Sequence, residues 1–314
     1  MSKWLVAGGA GFIGSNIVEA LLKRGDDVCI LDDFSSGRRE NLAATAEWSG
    51  GTDRSTLIEG DMRDAATCAR AVAGADFVVH LAAIPSVQRS VLNPLLTNDV
   101  NIGGTLQLLE AARQEGVKRF VFASSSSLYG ESETLPKVES MGPAPISPYG
   151  LQKLAGETYC RLYHRLYGLP TVALRYFNVF GPRQDPNSEY AAVIPRFIEA
   201  AKAGKQATIY GDGGQTRDFT FVENVIQANL RATEADLAAC GEAYNIACGE
   251  RISLNDLLAR IGEVLEKEVS AVHEDPRAGD IRHSLAGIEA ARDNLGYEPV
   301  VDFTEGLRRT IKAY

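Results

Sequence analysis

The stretch Ala7-Gly8-Gly9-Ala10-Gly11-Phe12-Ile13-Gly14 decides how the rest of the chain reads. It follows a short apolar run, Trp4 to Ala7, and opens a segment of helical period, Ile13 to Arg24. Glycines at 8, 11 and 14 let the chain turn tightly, bring backbone close to a phosphate, and pack the helix against the strand. The positive end of that helix then faces the turn. A glycine pattern alone is weak evidence. Here a second strand, Val28 to Asp32, ends in an acid about 20 residues on, where a carboxylate can accept hydrogen bonds from an adenosine ribose. The order strand, glycines, helix, strand, acid predicts a dinucleotide site. Asp32 would repel a 2′-phosphate, favouring NAD over NADP, while Arg38 and Arg39 could either pair with such a phosphate or face solvent.

Working outward, strands are expected at Ser55 to Glu59, Phe77 to Leu81, Phe120 to Ser124 and Val172 to Arg175, with helices at Asn101 to Gln114 and Pro148 to Tyr167. Strands apolar on both faces that alternate with helices predict an α/β Rossmann fold, a doubly wound parallel sheet that binds ligands beyond its C-terminal strand ends. After Asn178 a stretch from Gly181 to Ser188, bearing Pro, Asn and Gly, breaks the alternation. Shorter elements follow at Val193 to Ala203, Ala207 to Tyr210, Val222 to Thr233, Ala243 to Ile246, Leu254 to Leu265 and Phe303 to Lys312. They predict a smaller α/β lobe: residues 1–177 for the cofactor, 178–314 for the substrate, with 218–247 returning to the first unit.

The 314 residues are 45% hydrophobic and 23% charged, which excludes disorder and allows sizeable cores. A net charge of -9 without a basic run argues against a nucleic-acid partner, though a few arginines and a helix N-terminus can still hold a small polyanion. Five cysteines (Cys29, Cys68, Cys160, Cys240, Cys248) form no Cys-x-x-Cys pair, so neither a disulfide framework nor a metal site is expected, and buried reduced thiols are. With no signal peptide and no apolar run of about 18 residues, a cytoplasmic protein without a membrane partner is expected.

A second motif carries chemistry. In Ser147-Pro148-Tyr149-Gly150-Leu151-Gln152-Lys153, a good N-cap and a proline at the first helical position place Tyr149 and Lys153 one turn apart on one face. The ammonium should lower the phenol pKa, letting Tyr149 act as acid or base near neutral pH. Alone, such spacing is usually a surface pair. Here the run Ala123-Ser124-Ser125-Ser126-Ser127-Leu128-Tyr129-Gly130 leaves a strand at the same sheet edge.

Together these residues resemble the extended short-chain dehydrogenase/reductase family, and within it nucleotide-sugar epimerases of the UDP-glucose and UDP-N-acetylglucosamine 4-epimerase type. The resemblance spans essentially the whole chain. It includes Gly60-Asp61-Met62-Arg63-Asp64, His80-Leu81-Ala82-Ala83, Asn98, Arg175-Tyr176-Phe177-Asn178-Val179-Phe180-Gly181-Pro182-Arg183 and Arg217-Asp218-Phe219, and departs at Ala7, where the family usually has Thr. It implies a catalytic Ser125 that hydrogen-bonds the sugar 4-hydroxyl, Tyr149 as base, and Lys153 holding the nicotinamide ribose. For NAD it implies Gly8, Gly11, Phe12, Ile13, Gly14, Asp32, Asp33, Ser35, Ser36, Gly37, Asp61, Met62, Leu81, Ala82, Ala83, Asn98 and Tyr176 besides Tyr149 and Lys153. For a UDP-sugar it implies Ser86, Ser125, Ser126, Tyr149, Asn178, Val193, Thr208, Tyr210, Arg217, Arg277, Asp280 and Ser284. Two arginines, 217 and 277, suit a diphosphate.

The resembling 4,6-dehydratases follow the catalytic Ser or Thr with Asp-Glu or Ser-Glu, whereas Ser126 and Ser127 stand here. Elimination thus lacks its acid and base, and reversible hydride removal, by 4-epimerisation, is expected. Ser284 falls where a large Tyr restricts some relatives to non-acetylated sugars; together with Ser86-Val87-Gln88-Arg89-Ser90 and Tyr190-Ala191-Ala192-Val193-Ile194-Pro195 it implies UDP-GlcNAc/UDP-GalNAc, with UDP-Glc/UDP-Gal as a second pair. The alternatives are a nucleotide-sugar 4,6-dehydratase or reductase, and a non-catalytic NAD-sensing regulator on the same fold. A homodimer is implied through helices at 92–115 and 148–167.

Overall fold

A computed structural model describes residues 1–186, 192–276 and 282–314. At its centre the backbone of Gly8 takes φ +80°, and a Cβ there would lie 2.6 Å from the Ala82 amide nitrogen. That close approach lets the chain leave β1 (Lys3–Ala7) and enter α1 (Phe12–Arg24) over the sheet edge. Gly14 rests on the Gly8 carbonyl, which a Cβ would meet at 2.1 Å, so α1 packs closer than any larger residue allows. The helix buries Ile17, Val18, Leu21 and Leu22 and ends at Gly25 in the left-handed conformation.

Six further strands join β1: β2 (Asp27–Asp32), β3 (Ser55–Glu59), β4 (Phe77–His80), β5 (Arg119–Ser125), β6 (Thr171–Tyr176) and β7 (Glu242–Ile246). Their order is β3-β2-β1-β4-β5-β6-β7 and every pairing is parallel. The strand pleat sends Trp4, Val6, Val28, Ile30 and Val79 to one face, against Ile17 and Leu21 of α1. It sends Leu5, Ala7, Leu31, Val78 and Phe120 to the other, against α2 (Thr105–Glu115) and α3 (Pro148–Tyr167). Near β6 and β7 the first face is covered by α4 (Val222–Glu234), through Val225, Ala228 and Ala232. Helices on both faces of a parallel sheet make this the expected α/β Rossmann architecture. A separate core gathers Phe180, Phe197, Phe219, Leu257, Phe303 and Leu307.

Two expectations fail locally. The edge strand β3 is not apolar on both faces, and Leu57 is 44% exposed, because nothing pairs beyond it. The helix expected from 92 starts instead at Pro94: Val87–Leu92 ends before it, Asn93 accepts the Leu96 N–H, and the chain stays helical through Pro94–Asn98, a π-helical turn Asp99–Gly104 and α2. Proline has no N–H and forces the preceding residue out of the helical region. All five cysteines are free, with Cys248 half-buried and the other four buried.

Inside the sheet lies a buried ion pair. Arg175 of β6 donates from Nε and Nη2 to the two oxygens of Glu157 in α3, both at 2.9 Å, and from Nη1 to the Tyr129 hydroxyl at 2.7 Å. Tyr129 donates to Asn245 Oδ1 in β7 at 2.8 Å, and Asn245 Nδ2 donates to the Lys137 and Gly287 carbonyls. Asp218 makes a second junction, accepting the N–H groups of Cys248, Gly249 and Ala286 at 3.0–3.1 Å.

Replacing Gly14→Ala pushes α1 off the Gly8 carbonyl and should cost about 1–3 kcal/mol, read as a lower urea midpoint. Gly142→Ala, where a Cβ meets nothing within 4 Å, should leave the midpoint unchanged, and equal midpoints for the two variants would remove the packing role of Gly14.

Candidate active site

The C-terminal ends of the strands form the site. Strand β5 ends in Ser124 and Ser125, and the chain turns through Ser126–Tyr129. Helix α3 starts over that turn: the Ser147 hydroxyl accepts the Gly150 N–H at 3.1 Å, and Pro148 occupies the first position, where a missing N–H costs nothing. The Tyr149 N–H donates to the Ser90 hydroxyl at 3.0 Å, which ties the segment carrying Ser86 to the catalytic helix. Ser86 itself has φ +99°.

The Ser125 hydroxyl stands by the Tyr149 phenol, and the Lys153 ammonium donates to the Ala123 carbonyl at 2.7 Å while lying 5.7 Å from the Tyr149 ring centroid. The three residues read as catalytic are therefore brought together at one strand end. The expected lowering of the phenol pKa is not what this geometry gives. Burial pushes Tyr149 up to about 12, with the Ser125 hydrogen bond pulling the other way. Burial likewise pushes Lys153 down to about 8, opposed by the Glu157 carboxylate one turn on. The physical reason is desolvation, which disfavours the charged form of each group.

From this corner a cleft of about 670 Å³ runs along the strand ends. Gly8, Gly11 to Gly14, Asp32, Asp33, Ser35 to Gly37, Asp61, Met62, Leu81 to Ala83, Tyr149, Lys153 and Tyr176 line it, as does Ser86. The walls fit a dinucleotide. Gly11 gives α1 no side-chain cap, so the first-turn amides face the cleft unclaimed by a side chain, and a Cβ on Gly11 would meet only the Gly8 carbonyl, at 3.2 Å. Asp32 accepts the Ala10 and Phe34 N–H groups at 2.8 and 2.9 Å, one on each oxygen, which aims the carboxylate while leaving lone pairs for ribose hydroxyls. Asn98 is not among the lining residues: the wider turn starting at Asp99 carries Val100 to the wall and leaves Asn98 exposed. Arg38, which the sequence left between phosphate pairing and solvent, lines the cleft, and so do residues the sequence reading missed, among them Phe34, Pro85, Gln184 and Asp185. Those at 184 and 185 come from a distant loop, for which local spacing offers no signal.

On the far side, Thr208 and Tyr210 lie on a strand, Ala207–Tyr210, paired with Ala271–Glu274. Arg217 lies on Thr216–Arg217, whose Thr216 carbonyl accepts the Ser284 N–H at 3.1 Å, so Arg217 and Ser284 are neighbours. Asn178, at φ +34°, donates from Nδ2 to the Asp218 carbonyl at 3.1 Å, and Val193 starts the helix Val193–Lys202. Ser126 opens the turn after Ser125; Arg277 and Asp280 lie outside the described residues. Among the described residues no cluster of His, Cys, Asp or Glu could hold a metal, and no helix is long and apolar enough to cross a membrane.

The Lys153 shift fixes the sign of a stability change. The unfolded chain holds that proton to pH 10.5, the folded one to about 8, so the penalty of burying the ammonium operates below 8 and is relieved as pH rises through that window. The unfolding free energy of the wild type minus that of Lys153→Met should rise between pH 8 and 10.5, by up to about 3 kcal/mol. Denaturant titrations across the window measure it, and a flat difference would return Lys153 to its ordinary pKa.

The sequence profile of the NAD dependent epimerase/dehydratase family matches residues 4–247. A UDP-glucose 4-epimerase of Mycolicibacterium smegmatis is 40% identical over 312 residues, covering 99% of this chain and 97% of that one. A UDP-N-acetylglucosamine 4-epimerase from Methanobrevibacter ruminantium, solved in complex with UDP-N-acetylmuramic acid, superposes with a TM-score of 0.93 at 43% identity, covering 99% of this chain and 97% of that one. A UDP-glucose 4-epimerase from Thermotoga maritima, solved with UDP-glucose, gives 0.92 at 38% identity, with 99% and 98% covered. With the family profile spanning most of the chain and relatives matched over nearly their whole length, this protein belongs to the NAD-dependent epimerase/dehydratase family.

Proposed function

We propose that the protein is a cytoplasmic, NAD-dependent 4-epimerase of UDP-hexoses that interconverts UDP-GlcNAc and UDP-GalNAc, with UDP-Glc and UDP-Gal as a second pair. In this reading residues 1–177, with 218–247, serve the cofactor and the remaining residues the sugar nucleotide. The observation that carries it is the Ser125, Tyr149 and Lys153 corner beside a turn that offers no second acid or base. Ser126 and Ser127 do not ionise, and the Ser127 hydroxyl is enclosed with no protein partner. Glu157, the buried carboxylate of that edge, has both oxygens held by Arg175 and one also by Ser124.

NAD held along the cleft from Gly8 to Lys153 would supply the hydride acceptor and donor for sugar carbon 4. Tyr149 takes the 4-hydroxyl proton and returns it to the other epimer. Ser125, beside the phenol, would hold the same hydroxyl and line up the proton path. Lys153 keeps its ammonium beside the ring, where a cation favours the phenolate that burial opposes. The 4-ketose must rotate before hydride return, so affinity has to reside in diphosphate contacts, for which Arg217 is the described candidate, while the hexose is held loosely. The small Ser284 beside Arg217 leaves room for a 2-acetamido group.

We also read the second apolar surface as a homodimer face. Leu151, Leu162, Leu166 and Tyr167 expose a stripe along α3, and Val91, Leu92 and Leu95 are exposed nearby in sequence to the π-helical turn. Leu162→Glu with Leu166→Glu should convert a dimer into a monomer in sedimentation velocity; an unchanged sedimentation coefficient would move the interface elsewhere.

The reaction is tested by incubating purified protein with UDP-GlcNAc, UDP-Glc and dTDP-Glc without added NAD. Epimers are the expected products. A keto-deoxy sugar would select the dehydratase, and no turnover the NAD-sensing regulator. Tyr149→Phe should lower kcat by about 10²–10⁴ with NAD still bound, and Ser284→Tyr should depress use of the acetamido sugar more than of UDP-Glc.

A further inference from the structure

The loop after β2 folds back over Asp32. A Cβ at Gly37 would meet the Asp32 carboxylate at 2.7 Å, and the Arg38 N–H donates to the Ala10 carbonyl at 3.0 Å. The Arg38 side chain therefore starts at the ribose end of the cleft and forms part of its wall. That is where an arginine can serve a 2′-phosphate in dinucleotide folds that take NADP. Arg39, the other cation of this loop, turns to Glu59 at 2.5 Å and covers the Phe34 ring at 4.1 Å.

Opposite, the segment Gly181 to Asp185 crosses beside α1 and is tied at several points. Asn16 Nδ2 donates to the Pro182 carbonyl at 3.0 Å, and Arg183 pairs with Glu19 at 2.7 Å while lying 5.2 Å from the Trp48 ring centroid. Gln184 Nε2 donates to the Val179 carbonyl at 3.3 Å, and the Tyr314 hydroxyl donates to the Gln184 carbonyl. Held this way, the Asp185 carboxylate reaches the Arg38 guanidinium in an ion pair between residues 147 positions apart. Both partners line the cleft.

We propose that Asp185 is a cofactor-specificity residue: it neutralises Arg38 from across the cleft and so denies a 2′-phosphate its cation. With side chains 49% and 29% exposed, the pair adds little to folding, so its consequence is electrostatic. A 2′-phosphate entering beside Arg38 would have to share that guanidinium with Asp185 and stand beside the Asp32 carboxylate. A ribose hydroxyl carries no charge and meets neither cost. Asp32 and Asp185 act together, one from each wall.

The role is tested on purified holoprotein equilibrated with equal concentrations of NAD and NADP, freed of unbound nucleotide and denatured, with the released nucleotides quantified by chromatography. In Asp185→Asn the bound NADP to NAD ratio should rise roughly tenfold. Asp185→Glu should keep the wild-type ratio, and Arg38→Ala with Asp185→Asn should return to it. A ratio unchanged in Asp185→Asn, or a rise that survives loss of Arg38, overturns the proposal. Where Asp185→Asn does not accumulate, Asp185→Ser carries the same test. The inference rests on the dinucleotide lying in this cleft; wild-type protein that retains neither nucleotide overturns that placement and the role of Asp185 with it, whereas an unchanged ratio overturns the role alone.

Discussion

Two charges removed from water, Glu157 and Arg175, hold the catalytic helix to the sheet, and the geometry of the site follows from them. Their side chains are 4% and 5% exposed, and desolvating each costs several kcal/mol. The cost is offset only because the bonding is complete. Arg175 gives two bonds to Glu157 and one to Tyr129, and Glu157 also takes the Ser124 hydroxyl. An apolar contact could slide by part of a turn, whereas a bidentate pair fixes both the height and the rotation of α3. Positions 149, 153 and 157 lie one above the next on that helix, so the pair that fixes Glu157 also fixes Lys153 against Ala123 and Tyr149 against Ser125. Through Tyr129 and Asn245 the same polar chain reaches the Lys137 and Gly287 carbonyls. The segment that carries Ser284 is thereby referenced to the catalytic corner.

Burial sets the character of that corner. It moves Tyr149 and Lys153 toward their neutral forms, the phenol upward and the ammonium downward. Glu157 matters a second time here, since its negative charge holds Lys153 closer to its protonated state than burial alone would. A resting phenol near 12 does not take protons at neutral pH. The base form would need positive charge close to the ring beyond the Lys153 ammonium already beside it.

What the sequence disclosed was what local spacing encodes. The glycine turn, the strand pattern and the Ser147-Pro148 helix start each rest on steric rules acting over a few residues, and the strands and α3 lie within about two residues of their expected bounds. The helix start at Asn93-Pro94 is local too: proline keeps Asn93 out of the helix, two residues past the expected 92. The phenol pKa could not be read, because the sign depends on how much water the fold excludes, and that is a property of packing. Asp185 could not be read either: its partner Arg38 is 147 positions away, and only the path of Gly181 to Asp185 brings the two charges together.

A chain of net charge -9 can hold a dinucleotide because charge is arranged along the cleft and not averaged over the surface. One end is acidic, with Asp32, Asp33, Asp61 and Asp185, and suits hydroxyls while repelling phosphate. The middle is the amide end of α1, positive without carrying a side-chain charge. The other end holds the Lys153 ammonium beside the Tyr149 phenol. The pyrophosphate at the middle of a dinucleotide carries its negative charge, and the uncapped amide end of α1 is where that charge would be favoured. In the proposed reading the adenosine ribose would lie at the acidic end, next to the Asp32 loop, where an extra phosphate is disfavoured. In the proposed reaction, an orientation with the reacting ring beside Tyr149 would be set by groups that never touch the sugar.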